Sequence, residues 1–208
     1  MDDSNNKSVA SIWKYIYGIG GLAALILALI FFIALIELMT GSFELFQTNF
    51  ILRLIQLHAE YSTQLEEAMR VVNLLDILIL TLVGILAFTL YPVLKKISKI
   101  GAIITVFQPI LGIILFLITQ QIGRTTTFTT SLTISVILLS SDEFDKNTVY
   151  LGTLAAVLLL IPDISFSFTY SNIMAIMMSL GYLLIIPWFV LMGLRLCQLA
   201  RGFPRIDH

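Results

Sequence analysis

The chain has 208 residues, of which 58% are hydrophobic and 12% charged, with a formal net charge of −1. An ordinary soluble domain carries about 25% charged residues, and a mean hydropathy of +0.97 leaves more apolar surface than a soluble core can bury, so lipid must solvate much of it. The near-neutral charge excludes a strongly basic nucleic-acid binder. One cysteine, Cys197, and two histidines, His58 in a polar connector and His208, exclude an intrachain disulfide, a thiolate cluster and a multi-imidazole haem, copper or zinc site in the bundle. No cofactor is expected.

A helix rises 1.5 Å per residue, so about 20 apolar residues cross a hydrocarbon core of about 30 Å. The first predicted span is Tyr17 to Met39, after a polar segment at 1–16, with Trp13, Tyr15 and Tyr17 placed as an interfacial belt. Its apolar run exceeds the 7–15 residues usual in a signal peptide, Asp2 and Asp3 precede it, and no small-x-small cleavage pattern follows. It is expected to be a retained helix.

From Ser42 to Arg70, the residues Phe43, Phe46, Phe50, Leu54, Leu57, Tyr61, Leu65 and Met69 recur at spacings of three and four, the period of one helical face. Glu44, Gln47, Arg53, Gln56, Glu60, Ser62, Glu66 and Glu67 supply the polar faces. This pattern predicts an amphipathic extracytoplasmic helix at about 43–70. It either lies on the membrane surface or extends the next span. Alternatively, Phe43, Phe46, Phe50, Leu54 and Leu57 form a docking face for a partner subunit. The Glu-rich polar side argues against anionic lipid as its target.

The second span is Val71 to Leu94 and the third Ile100 to Gln120. Only Lys95-Lys96-Ile97-Ser98-Lys99 separates them, which makes them antiparallel neighbours. Next comes Thr125 to Ser141, hydroxyl-rich and marginal in length. The fifth span starts near Thr148 and reaches Ile161 or Thr169, and the sixth covers Asn172 to Leu196, leaving a tail at 197–208. The whole forms a single all-α polytopic bundle with no linker to a second domain.

The span count turns on whether 125–141 crosses. Lys and Arg in short loops favour the cytoplasmic side. With six spans and a cytoplasmic N-terminus, Lys7, Lys14, Lys95, Lys96, Lys99, Lys146, Arg195, Arg201 and Arg205 fall inside, and Arg53, Arg70 and Arg124 outside. That distribution is nine against three, whereas five spans give five against seven. Six spans in the cell membrane, with both termini cytoplasmic, is the expected topology.

Ionisable groups within a span are functional suspects, because exposing one to lipid costs at least about 2.5–3.5 kcal/mol. Asp76, with Asn73 one turn earlier, is suited to bind a cation or relay a proton. The plainer reading is an acid at interfacial depth, solvated or hydrogen-bonded, and the same reading serves Glu37 and Asp163 near helix ends. In span three, Pro109 lacks an N–H and frees the carbonyl of Thr105. Thr105 and Gln108 then either satisfy local acceptors or line a polar notch at midplane, where transporters place substrates. Hydroxyls between Thr125 and Ser135 either line a polar path or bond back to helix backbones. Gly152 and Ala156, four apart, mark a close helix contact. No phosphate loop, nucleophile elbow or HExxH motif occurs.

The run Gly84-Ile85-Leu86-Ala87-Phe88-Thr89-Leu90-Tyr91-Pro92-Val93-Leu94-Lys95-Lys96 resembles a segment of the prokaryotic membrane proteins grouped as domain-of-unknown-function family 4386. In those proteins a Tyr-Pro-Val-Leu followed by a basic pair ends one of several helices. The resemblance covers about 13 of 208 residues. It implies a prokaryotic multi-pass protein, with no activity and no functional residue to carry over.

Two functions follow as expectations. The first is a non-catalytic accessory or scaffold subunit that meets lipid and other membrane subunits or further copies of itself. The alternative is a small transporter or channel for an ion or small polar solute, using Asn73, Asp76, Thr105 and Gln108. Enzymatic acid–base work needs at least two positioned polar groups, and the sequence places no such pair.

Overall fold

The computed structural model describes residues 3–39, 62–119, 123–165 and 172–202. They form six α-helices and, among the described residues, no strand: α1 Asp3–Met39, α2 Ser62–Ile97, α3 Lys99–Thr119, α4 Gly123–Leu138, α5 Lys146–Ser165 and α6 Asn172–Arg201. Five stretches, Ile12–Ile36, Leu74–Ile97, Lys99–Leu117, Lys146–Ile164 and Ile176–Arg201, are long and apolar enough to cross a membrane. This is the architecture of a multi-pass integral membrane protein.

The helices overrun the apolar spans that hydropathy marks. α1 begins at Asp3 and α6 continues to Arg201, because backbone hydrogen bonding, not hydropathy, sets where a helix ends. α2 opens at Ser62, so the last part of the amphipathic segment is continuous with span two. Phe43, Phe46, Phe50, Leu54 and Leu57 lie outside the described residues.

Side chains on the short connections fix where the chain reverses. Ser98 alone separates α2 from α3 and caps the second of them, its Oγ accepting from the Gly101 N–H at 3.0 Å. Asp145 does the same for α5, accepting from the Thr148 N–H at 3.2 Å.

Helix α4 settles the course of the chain. Its 16 residues reach about 24 Å at 1.5 Å each, short of the roughly 30 Å of hydrocarbon. Yet it runs antiparallel to α3 along most of that helix, since a Cβ on Gly112 would abut Thr126 and one on Gly101 would abut Ile137. It runs antiparallel to α5 as well, because Gly152 abuts Ser135 while Thr125 donates a hydrogen bond to Asp163. A short polar helix is tolerable at this depth because α2, α3 and α5 all pack on it and lipid need not solvate its backbone.

With α4 as a pass, the beginning of α1 and the end of α6 share one end of the bundle. Gly18 meets Ala200 and Gly21 meets Cys197, and the Thr89 hydroxyl late in α2 lies 3.5 Å from the Ile16 carbonyl oxygen early in α1. Neighbour relations close a ring in the order α1, α2, α4, α5, α6 and back to α1, while α3 docks outside against α2 and α4. α1 turns Ala23, Ala24, Leu27, Ala28, Phe31 and Leu35 inward, and leaves Leu22, Ile26, Leu29, Phe32 and Ile36 exposed. Small inward residues let the helix backbones approach, and lipid suits the bulky outward ones. Phe31 is the aromatic hub of the ring, with ring centroids 5.6 Å from Phe189, 5.8 Å from Tyr182 and 6.4 Å from Phe128.

Candidate functional site

Among the described residues, basic side chains gather at one end of the bundle. At the end holding the α2–α3 and α4–α5 connections are Lys95, Lys96, Lys99 and Lys146, joined by Lys14 from α1 and Arg195 and Arg201 from α6. The α4–α5 connection is tied down there. Arg195 Nε donates to the Glu143 carbonyl oxygen at 2.9 Å, Lys146 Nζ donates to the Ser141 carbonyl oxygen at 3.0 Å, and Lys96 Nζ lies 3.5 Å from Glu143 Oε1. The last pair is largely exposed and adds little stability. The two backbone contacts do more, since they connect the end of α6 and the start of α5 to one loop.

At the opposite end, between α1, α2, α4 and α6, lies a partly open cleft of about 180 Å³. Its lining is Ile30, Phe31, Ile33 and Ala34 from α1; Leu75, Asp76 and Ile79 from α2; Thr127 and Phe128 from α4; and Tyr182 from α6. Asp76 is half-buried, and Thr127, Phe128, Phe31 and Tyr182 are buried. A carboxylate thus meets a wall that is aliphatic and aromatic apart from the hydroxyls of Thr127 and Tyr182. The arrangement follows from helical period: Leu75, Asp76 and Ile79 fall on one face of α2, as do Ile30, Phe31 and Ala34 on α1.

The four candidate polar residues do not form one site. Asn73 lies on α2 one turn before Asp76, and its side chain is outside the described residues. Thr105 is fully buried, and its hydroxyl donates to the Gly101 carbonyl oxygen at 2.8 Å within α3. Gln108 Oε1 accepts from Thr133 at 3.3 Å, between α3 and α4 and outside the ring. Pro109 packs at the level of Gly84, so Asp76 lies about 12 Å further along the α2 axis. Helix pairing thus places Asp76 and the Thr105–Gln108 pair at different depths of the bundle.

Four hydroxyls of α4 serve their own helix, whereas Thr125 donates to Asp163 on α5 and Ser135 Oγ is buried without a partner. Thr129, Thr130, Ser131 and Thr133 each donate to the carbonyl four residues earlier, at 2.7 to 2.9 Å. Thr81 in α2 and Thr153 in α5 do the same. Among the described residues no group of three or more His, Cys, Asp or Glu is placed to hold a metal ion. Sequence reasoning missed the aromatic wall, because Phe31, Phe128 and Tyr182 come from three separate helices. Comparison with protein-family models, with curated proteins and with solved structures returns no match.

Proposed function

We propose that the protein is a non-catalytic accessory or scaffold subunit of a membrane complex, with both termini and the Lys-rich end at the cytoplasmic face of the cell membrane. The fate of polar groups at membrane depth carries this reading. Thr81, Thr105, Thr129, Thr130, Ser131, Thr133 and Thr153 donate to carbonyls of their own helices, which suits a framework better than a polar path or a catalytic pair. The orientation rests on the clustering of Lys and Arg at one end.

The test is the native mass of the protein extracted from its own membrane in mild detergent, with every co-purifying chain identified. A defined assembly containing foreign subunits is expected. A monodisperse monomer that binds nothing contradicts the scaffold role. A second reading, a small transporter, has one observation in its favour, the carboxylate in the cleft at Asp76. It would take over if the chain purified alone and if solute uptake into proteoliposomes were lost in Asp76→Asn.

A further inference from the structure

We propose that the turn between α2 and α3 binds the phosphate headgroup of an anionic phospholipid, with Lys95 and Lys99 as its counter-charges and the outer face of α3 as the bed for an acyl chain. The inference stands apart from the choice between scaffold and transporter, since it needs only that the bundle sit in lipid.

The partners of the basic groups single out these two lysines. Lys96 lies against Glu143, Lys146 donates to the Leu139 and Ser141 carbonyl oxygens, and Arg195 donates to Glu143 and Gln198. Lys95 and Lys99 are exposed, and no acid among the described residues pairs with either. Lys95 Nζ lies 5.7 Å from the centroid of the Tyr91 ring, a contact that positions the ammonium without cancelling its charge. The surplus is local in the sequence too, since no Asp or Glu occurs between Asp76 and Asp142. α3 packs on α2 and α4, and among the described residues it makes no contact with α1 or α6, the helices that lead to the two chain ends.

The surface next to the charges decides which anion fits. Ile100, Ile103, Ile104, Phe107, Ile110 and Ile114 are all exposed and recur at helical spacing, so they form one apolar stripe along α3. Lys99, Ile103 and Phe107 follow at steps of four, which puts the lysine at the head of that stripe. From Lys99 to Ile110 the stripe runs about 17 Å at 1.5 Å per residue, roughly half of a hydrocarbon core of about 30 Å and so the depth of one leaflet. A soluble anion or an acidic protein would meet the lysines and leave the stripe bare. A zwitterionic lipid would cover the stripe, but its own ammonium offsets its phosphate. An anionic phospholipid matches the charge and the stripe together.

The experiment strips lipid from the full-length protein in a nonionic detergent and adds back dioleoyl phosphatidylglycerol or dioleoyl phosphatidylcholine, which share acyl chains and differ in headgroup. Native mass spectrometry counts the bound lipids. Saturable binding that prefers phosphatidylglycerol is expected, and glycerol 3-phosphate, which carries the phosphate without the chains, should not displace it. One basic side chain near an anionic surface contributes about fivefold in affinity. Lys95→Gln combined with Lys99→Gln should therefore weaken phosphatidylglycerol binding roughly twenty-five-fold and leave phosphatidylcholine binding unchanged. Lys14→Gln combined with Arg201→Gln removes two exposed charges from the same end, on α1 and α6, and should keep most of the preference. Equal binding of the two lipids by the unaltered chain, or displacement by glycerol 3-phosphate, would overturn the proposal even if a variant did not fold. Equal losses in the two double variants would overturn it as well, because the preference would then belong to the whole charged end and not to the α2–α3 turn.

Discussion

Gly152→Leu is expected to abolish recovery of folded, monodisperse protein, and Gly152→Ala to lower stability by about 1–3 kcal/mol, the usual cost of overpacking a filled core. A Cβ at Gly152 would lie 2.2 Å from Trp188 Nε1, 2.5 Å from Trp188 Cδ1 and 2.5 Å from Ser135 Oγ. None of these neighbours can yield easily. Trp188 is fully buried and packs on Phe189 with ring centroids 4.7 Å apart, while Ser135 sits on a helix enclosed by α2, α3 and α5. Ser135 Oγ and Trp188 Nε1 are also buried without hydrogen-bond partners, so the contact is already one of shape and not of polar attraction. Reversible unfolding in mixed detergent micelles, read by tryptophan emission, measures the alanine variant. Unchanged stability there would mean that α4, α5 and α6 do not meet at Gly152.

Phe31→Ala is the second large effect. In water-soluble cores, Phe→Ala costs about 3–5 kcal/mol, part from transfer out of water and part from the cavity left behind. In a bilayer the transfer part largely vanishes because lipid is as apolar as the core. A loss of about 2–3 kcal/mol is expected from the cavity part alone. Phe31 is 5% exposed and touches rings from α4 and α6, so its removal loosens the centre of the ring. Phe32→Ala is the control, because Phe32 is 48% exposed on the outer face and lipid can fill the space it leaves. The same unfolding titration compares the two. Equal losses for Phe31→Ala and Phe32→Ala would mean that inward packing is not what holds α1.

Much of the framework is legible in the sequence, and the physics says which part. Helices in lipid must satisfy their own backbone, so length and apolarity suffice to find the five long spans. Charge asymmetry reaches further: it favours counting 125–141 as a pass, and in the structure α4 does run between the two ends. Hydropathy by itself left that segment ambiguous, because a helix enclosed by protein can be short and rich in Thr.

What the sequence hides is which side of each helix faces a neighbour. Both faces of α1 are apolar, and the inward one is marked by small residues such as Ala23, Ala24 and Ala28. The reciprocal approach of Gly21 and Gly193, where a Cβ on either would come within 2.9 Å of the other's carbonyl oxygen, joins positions too far apart in the chain for local spacing to link them. Gly152 with Ala156 was a readable signal because its pattern is local. For the cleft, Asp76 stood out as an acid within a span, yet its aromatic neighbours depend on the ring order. The same ring order removes Thr105 and Gln108 from its vicinity.

The most direct test of the six-pass ring is the sidedness of its connections. Single cysteines replace Ser62, Lys99, Ser140 and Arg201 in a Cys197→Ser background, and a membrane-impermeant maleimide is applied to sealed vesicles of one orientation. Lys99, Ser140 and Arg201 are exposed residues at the Lys-rich end, whereas Ser62 begins α2 at the other end. The first three positions should behave alike, all labelled or all protected, and opposite to Ser62. If Ser140 or Arg201 instead reacted together with Ser62, α4 would not carry the chain across and the ring built on it would be wrong.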